Sequence, residues 1–161
     1  MRTLVVYYSL EGNTAFTAEK IAGILGAELL RLEPEKEYPH SGIKKFLRGG
    51  KSAVTGEEPP LKPYAFKGED WDRVIIGFPV WAGNVTPPIR SFGKAHGGEL
   101  KGKSVAAFAC QSGSGAEKAF RKLAALLGRE SFDATLVLID PKAKPNAANE
   151  EKLAAFCQEL S

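Results

Sequence analysis

The sequence predicts an α/β fold, a three-layer αβα sandwich around a five-stranded parallel sheet of order 2-1-3-4-5. Two observations predict it. Short apolar runs rich in β-branched residues alternate along the chain with stretches whose apolar residues recur at helical spacing. The runs themselves are apolar on nearly every residue, as strands covered on both faces must be. Strands alternating with helices imply parallel pairing through right-handed crossovers, which leaves few topologies. In the order 2-1-3-4-5 a ligand site is expected at the switch point between strands one and three.

The elements follow in order. Thr3–Tyr8 is β-branched and aromatic, a buried strand. Thr14–Leu25 carries Phe16, Ile21, Ile24 and Leu25 at helical spacing, and Gly26 stops it. Ala27–Leu32, Arg73–Phe78, Ser104–Ala109 and Thr135–Ile139 read as strands two to five. Pro87–Ala95 reads as a helix with Thr86 as its cap and Pro87 in its first turn. Ala116–Leu127 is a helix opened by a Ser114/Glu117 capping box. A last helix covers Leu153–Leu160 and starts near Asn146. Between Glu33 and Gly68 lie five prolines and several glycines, so a short helix around Ile43–Leu47 and a long surface connection are expected there.

At 161 residues the chain fits one domain, residues 1–161, large enough to need no disulfide or metal. Cys110 and Cys157 are far apart and belong to no Cys/His cluster, so no metal site is expected. The first apolar run is too short for a leader and no segment is long enough to span a bilayer, which points to a cytoplasmic protein. A net charge of +3, concentrated at Lys44, Lys45, Arg48 and Lys51, is too small for a nucleic-acid binder without stacking aromatics. Arg48–Ser52 ends like a triphosphate-binding loop but lacks its first glycine and its buried strand. His40 and His96 are isolated and read as packed or surface residues.

Loops that follow parallel strands share one edge of the sheet, and three of them have unusual composition. Ser9, Leu10, Glu11, Gly12, Asn13 and Thr14 join strand one to helix one. Small and hydroxyl-bearing residues there let the backbone curl around an anion, whose charge the free N–H groups and the helix dipole receive. Pro79, Val80, Trp81, Ala82, Gly83 and Asn84 follow strand three. Trp81 either packs on its own loop or stacks on a planar ligand. Cys110, Gln111, Ser112, Gly113, Ser114 and Gly115 follow strand four, where glycines allow close approach to a flat ring. Together the three loops describe a pocket for a phosphate attached to a flat heterocycle.

On these residues the chain resembles the flavodoxins. Ser9–Thr14 is similar to their phosphate loop, and Pro79–Pro88 to the loop bearing a flavin-stacking residue. Cys110–Gly115 falls where they place a second ring-binding loop, and the resemblance extends over essentially the whole chain. It implies a flavodoxin-like fold with FMN as cofactor. Ser9, Gly12, Asn13 and Thr14 would hold the phosphate, with Glu11 contributing backbone alone. Trp81 would flank the isoalloxazine, Ala82 and Gly83 would face its N5, and Cys110–Gly115 would line its pyrimidine end. Glu11 stands where the family usually has threonine, and the third loop lacks an aromatic, which leaves one flavin face open. The resemblance implies a cytoplasmic electron carrier serving a redox partner protein, as a monomer or weak homodimer. The alternatives are an FMN-dependent NAD(P)H:acceptor reductase of the quinone type and a flavin-free binding module.

Overall fold

The computed structural model describes residues 1–39 and 56–161. The short helix expected at Ile43–Leu47, His40 and the basic group Lys44, Lys45, Arg48 and Lys51 lie outside the described residues. Five strands form one parallel sheet of order β2-β1-β3-β4-β5, as the sequence predicts. They are β1 (Thr3–Tyr7), β2 (Glu28–Arg31), β3 (Arg73–Pro79), β4 (Ser104–Gln111) and β5 (Thr135–Ile139). The helices are α1 (Asn13–Leu25), α2 (Pro87–His96), α3 (Ala116–Leu126) and α4 (Ala147–Leu160), with short 3-10 turns at Gly68–Asp70 and Gly97–Leu100.

Side chains alternate across each strand, so the sheet builds two cores. Val6, Ile76 and Ala107 face α2 and α3, where they meet Ile89, Phe92, Phe120 and Leu123. Val5, Ile75, Phe108 and Leu138 face α1 and α4, where they meet Ala18, Ile21, Leu153 and Phe156. This double burial is why the strands carry apolar residues at consecutive positions. The two edge strands are the exceptions, with Leu29 of β2 and Ile139 of β5 exposed.

The helix ends answer the local signals unevenly. Gly26 stops α1 in a left-handed conformation, φ 66°, and Ala27 N–H donates back to Ala22 O. Asn146 caps α4, its side chain accepting from Asn149 N at 2.9 Å. Thr86 precedes α2 but does not cap it; its hydroxyl is buried without a hydrogen-bond partner. The Ser114/Glu117 capping box does not form either, because left-handed Gly115 occupies the cap of α3 and no side chain bonds from there.

The described part of the long connection is fastened down. Pro34 and Leu61 form an antiparallel bridge, and Ser91 on α2 donates to Pro59 O at 2.7 Å. Farther on, Tyr64 Oη lies 2.9 Å from His96 Nε2, and His96 Nδ1 lies 2.5 Å from Glu99 Oε2. His96 is therefore a packed residue, ringed by Tyr64, Phe66 and Phe92. Among the described residues no helix is long and apolar enough to cross a membrane.

Candidate functional site

Because all strands run the same way, the loops after β1, β3, β4 and β5 emerge on one edge. Register fixes their heights: Tyr7 is level with Gly77, Pro79 with Cys110, and Gln111 with Ile139. Between the first two loops lies a small open cleft. Its walls are Ser9, Leu10, Glu11, Asn13 and Thr14 on one side and Pro79 and Trp81 on the other.

The first loop is held from within. Ser9 is buried, and its Oγ accepts from Ala15 N at 3.1 Å, closing the first turn of α1 in place of a conventional cap. Gly12 takes φ 104°, which a residue with a Cβ resists. The backbone N–H groups of Gly12, Asn13 and Thr14 find no acceptor among the described residues. Such free donors at a helix start receive an anion well. The Asn13 side chain turns away from the loop, its Oδ1 accepting from Lys142 N at 3.0 Å and Ala143 N at 3.2 Å.

The second loop is a two-residue hairpin. Asn84 N donates to Trp81 O at 2.9 Å, and both central residues are left-handed, Ala82 at φ 51° and Gly83 at φ 68°. That pattern is the type I′ turn. Buried Asn84 holds it from below, with Nδ2 donating to Ala82 O at 2.9 Å and Oδ1 accepting from Lys122 Nζ. Trp81 is half-buried and meets Tyr8 and Tyr38 edge-on, with ring centroids 5.8 and 5.3 Å away. Trp81 thus both packs on neighbouring rings and lines the cleft. Burial pushes the Tyr8 hydroxyl well above its usual pKa, and the Glu37 carboxylate adds to this, so Tyr8 stays protonated.

The third loop stands apart from the cleft. Cys110 is buried in β4 with its Sγ 3.6 Å from Thr17 Oγ1, and burial pushes the thiol up to about 11. Gln111 Oε1 accepts from Ala116 N at 3.1 Å, satisfying a donor at the start of α3. Gly113 and Ser114 are exposed. Gly115, at φ 108°, comes so close to the second loop that an added Cβ would lie 2.8 Å from Gly83 Cα.

A fourth loop, Asp140 to Ala143, joins the site, and the sequence reading missed it. Asp140 sits at φ 42° and its Oδ1 accepts from Ser112 Oγ at 2.7 Å. The loop therefore braces the third loop through Asp140 and the first through Asn13. Lys142 Nζ ends 3.1 Å from where a Cβ on Gly12 would be. The position of Asp140 directly after the fifth strand was the available signal. On the other flank, Lys122 loses solvent and feels repulsion from Lys118 and Arg90, which push its pKa down. The Asn84 side of the second loop is thus bordered by cations.

The family model described as flavodoxin matches residues 2–158. No curated protein matches the chain. Among solved structures, a flavoprotein from Lactobacillus acidophilus NCFM in complex with FMN is 21% identical, with a TM-score of 0.73 over 95% of this chain and 98% of that one. A protein from Bacteroides eggerthii DSM 20697, reported as a candidate flavoprotein, is 23% identical with a TM-score of 0.74, over 96% and 97% of the two chains. The two-electron reduced flavodoxin of Megasphaera elsdenii is 18% identical, with a TM-score of 0.59 over 99% of each chain. At these identities the likeness is one of fold.

Proposed function

The chain belongs to the flavodoxin family, and from that membership we propose that it binds FMN and carries electrons between redox partners. The observation that carries this reading is the pairing, across one cleft, of unsatisfied loop N–H groups with a half-buried indole. The residues present fit the cofactor at its phosphate end. Gly12, Asn13 and Thr14 offer three free N–H donors, and Ser9 keeps the loop in shape. FMN would supply a ring that accepts and returns electrons singly or in pairs.

The chain's residues would do the rest. Trp81, held by Tyr8 and Tyr38, would flank the ring and exclude water from that side. The Ala82–Gly83 peptide would present its backbone to the ring edge, and Cys110–Gly115 would border the far end. Pro79–Pro88 contains no acidic residue. Negative charge arriving on the ring would then meet little repulsion, and Lys118, Lys122 and Arg90 would favour it. An acidic face on the redox partner would complement the same cations.

The exposed third loop and this cationic border support a second reading, an FMN-dependent NAD(P)H:acceptor reductase. A nicotinamide would approach over Gly113 and Ser114, and its phosphates would meet the cations. Stepwise anaerobic reduction of the FMN-loaded protein separates the two. Two resolved one-electron steps in the visible spectrum are expected for the carrier. A single two-electron step, with rapid oxidation of NADPH, would replace the carrier with the reductase. A protein that retains no flavin would leave only the flavin-free module.

A further inference from the structure

The geometry points to Lys142 as the cation of the phosphate site, selecting a phosphorylated flavin over its dephosphorylated form. The inference rests on the FMN reading above and adds to it a residue outside the phosphate loop. Three observations carry it. The Lys142 ammonium lies 3.1 Å from the Cβ position of Gly12, at the mouth of the loop with the free N–H groups. Its backbone is fixed there, since the N–H groups of Lys142 and Ala143 both donate to Asn13 Oδ1. No ion pair or hydrogen bond occupies the ammonium among the described residues.

The placement is otherwise unfavourable. A helix N-terminus is the positive end of the helix, where a cation is repelled and an anion is welcome. Asn13 spends its side-chain carbonyl on holding a lysine at the wrong pole of α1. A dianionic phosphate between the loop and Lys142 reverses the sign of that interaction. The Lys142 ammonium also offsets the repulsion that such a phosphate would meet from the carboxylate of Glu11, which lines the same cleft. The cation comes from a loop about 130 residues downstream, so the phosphate site closes only when β5 and its loop have docked.

The test compares FMN with riboflavin, which shares the ring and lacks the phosphate. Lys142 is exposed, so Lys142→Met and Lys142→Arg are expected to fold. Lys142→Met should weaken FMN binding roughly tenfold, the loss of one charge-assisted contact, and flatten its salt dependence. Riboflavin affinity should not move, and Lys142→Arg should recover most of the FMN affinity. Unchanged FMN affinity, or equal weakening of FMN and riboflavin, would overturn the assignment. Inorganic phosphate gives a readout free of flavin. It should raise the melting midpoint of the wild type and not that of Lys142→Met. An equal rise in both, or none in either, counts against Lys142. A wild type that binds phosphate but neither flavin would retain this site while removing the FMN reading.

Discussion

The two ends of the cleft are built on different principles. The first-loop end is backbone: a left-handed glycine, free N–H groups and a serine bonded six residues ahead. The Trp81 end is built by contacts between distant elements: Trp81 on Tyr8 and Tyr38, the Asn84 side chain under its turn, and the backbone of Gly115 close against Gly83. A backbone site needs a few particular residues in one short stretch. A side-chain site needs distant elements to arrive together, so its strength depends on the packing of the whole edge.

Three substitutions sharpen that contrast. Gly115→Ala should do most harm, because alanine at φ 108° and a 2.8 Å approach to Gly83 add up. A loss of about 3 kcal/mol is expected from left-handed strain and overpacking together, read as a lower urea midpoint. Equal stability would mean that the second and third loops separate freely. Trp81→Ala should cost about 2 kcal/mol of stability from lost aromatic packing, and should weaken FMN and riboflavin alike when both are titrated by fluorescence quenching. A loss confined to FMN would move Trp81 to the phosphate end. Ser9→Ala should cost about 1 kcal/mol, the worth of the bond to Ala15, with the rest of the edge intact by NMR.

The smallest effect concerns Cys110. Its thiol titrates near 9 when unfolded and at about 11 in the fold, because burial disfavours the thiolate. Below pH 9 both states keep the proton, and stability is at its full value as far as this group is concerned. As pH rises from 9 to about 11 the unfolded chain loses the proton first, so stability falls across that window. Iodoacetamide should leave Cys110 unmodified in native protein near pH 9 and label it on unfolding. Rapid native labelling would place the thiol in the open third loop rather than in the core.

What the sequence made legible follows the same division. The strands, their order and the conformation of the first loop were readable because local composition dictates them: Gly26 ends α1, Asn146 begins α4, and Gly12 permits the loop. The start of α3 was misread. Ser114 and Glu117 have the spacing of a capping box, yet the contact between Gly115 and Gly83 sets the backbone there. The bond from Lys142 to Asn13 spans 129 residues, and no local pattern announces it. Asn149 is similar: buried, it exchanges hydrogen bonds with both backbone groups of Ile139 and finishes β5 from a helix.

The turn at Ala82 also constrains how this chain can change over generations. Alanine at φ 51° costs about 1 kcal/mol relative to glycine, and asparagine tolerates the same backbone better. The bonds from Asn84 to Ala82 O and from Lys122 to Asn84 keep the turn closed in spite of that. Lineages that replace Ala82 with glycine first can afterwards lose Asn84 or Lys122 with little penalty. Lineages that lose Asn84 first are left with a strained turn and nothing beneath it. The order of substitutions, and not only their sum, then decides which descendants keep the loop.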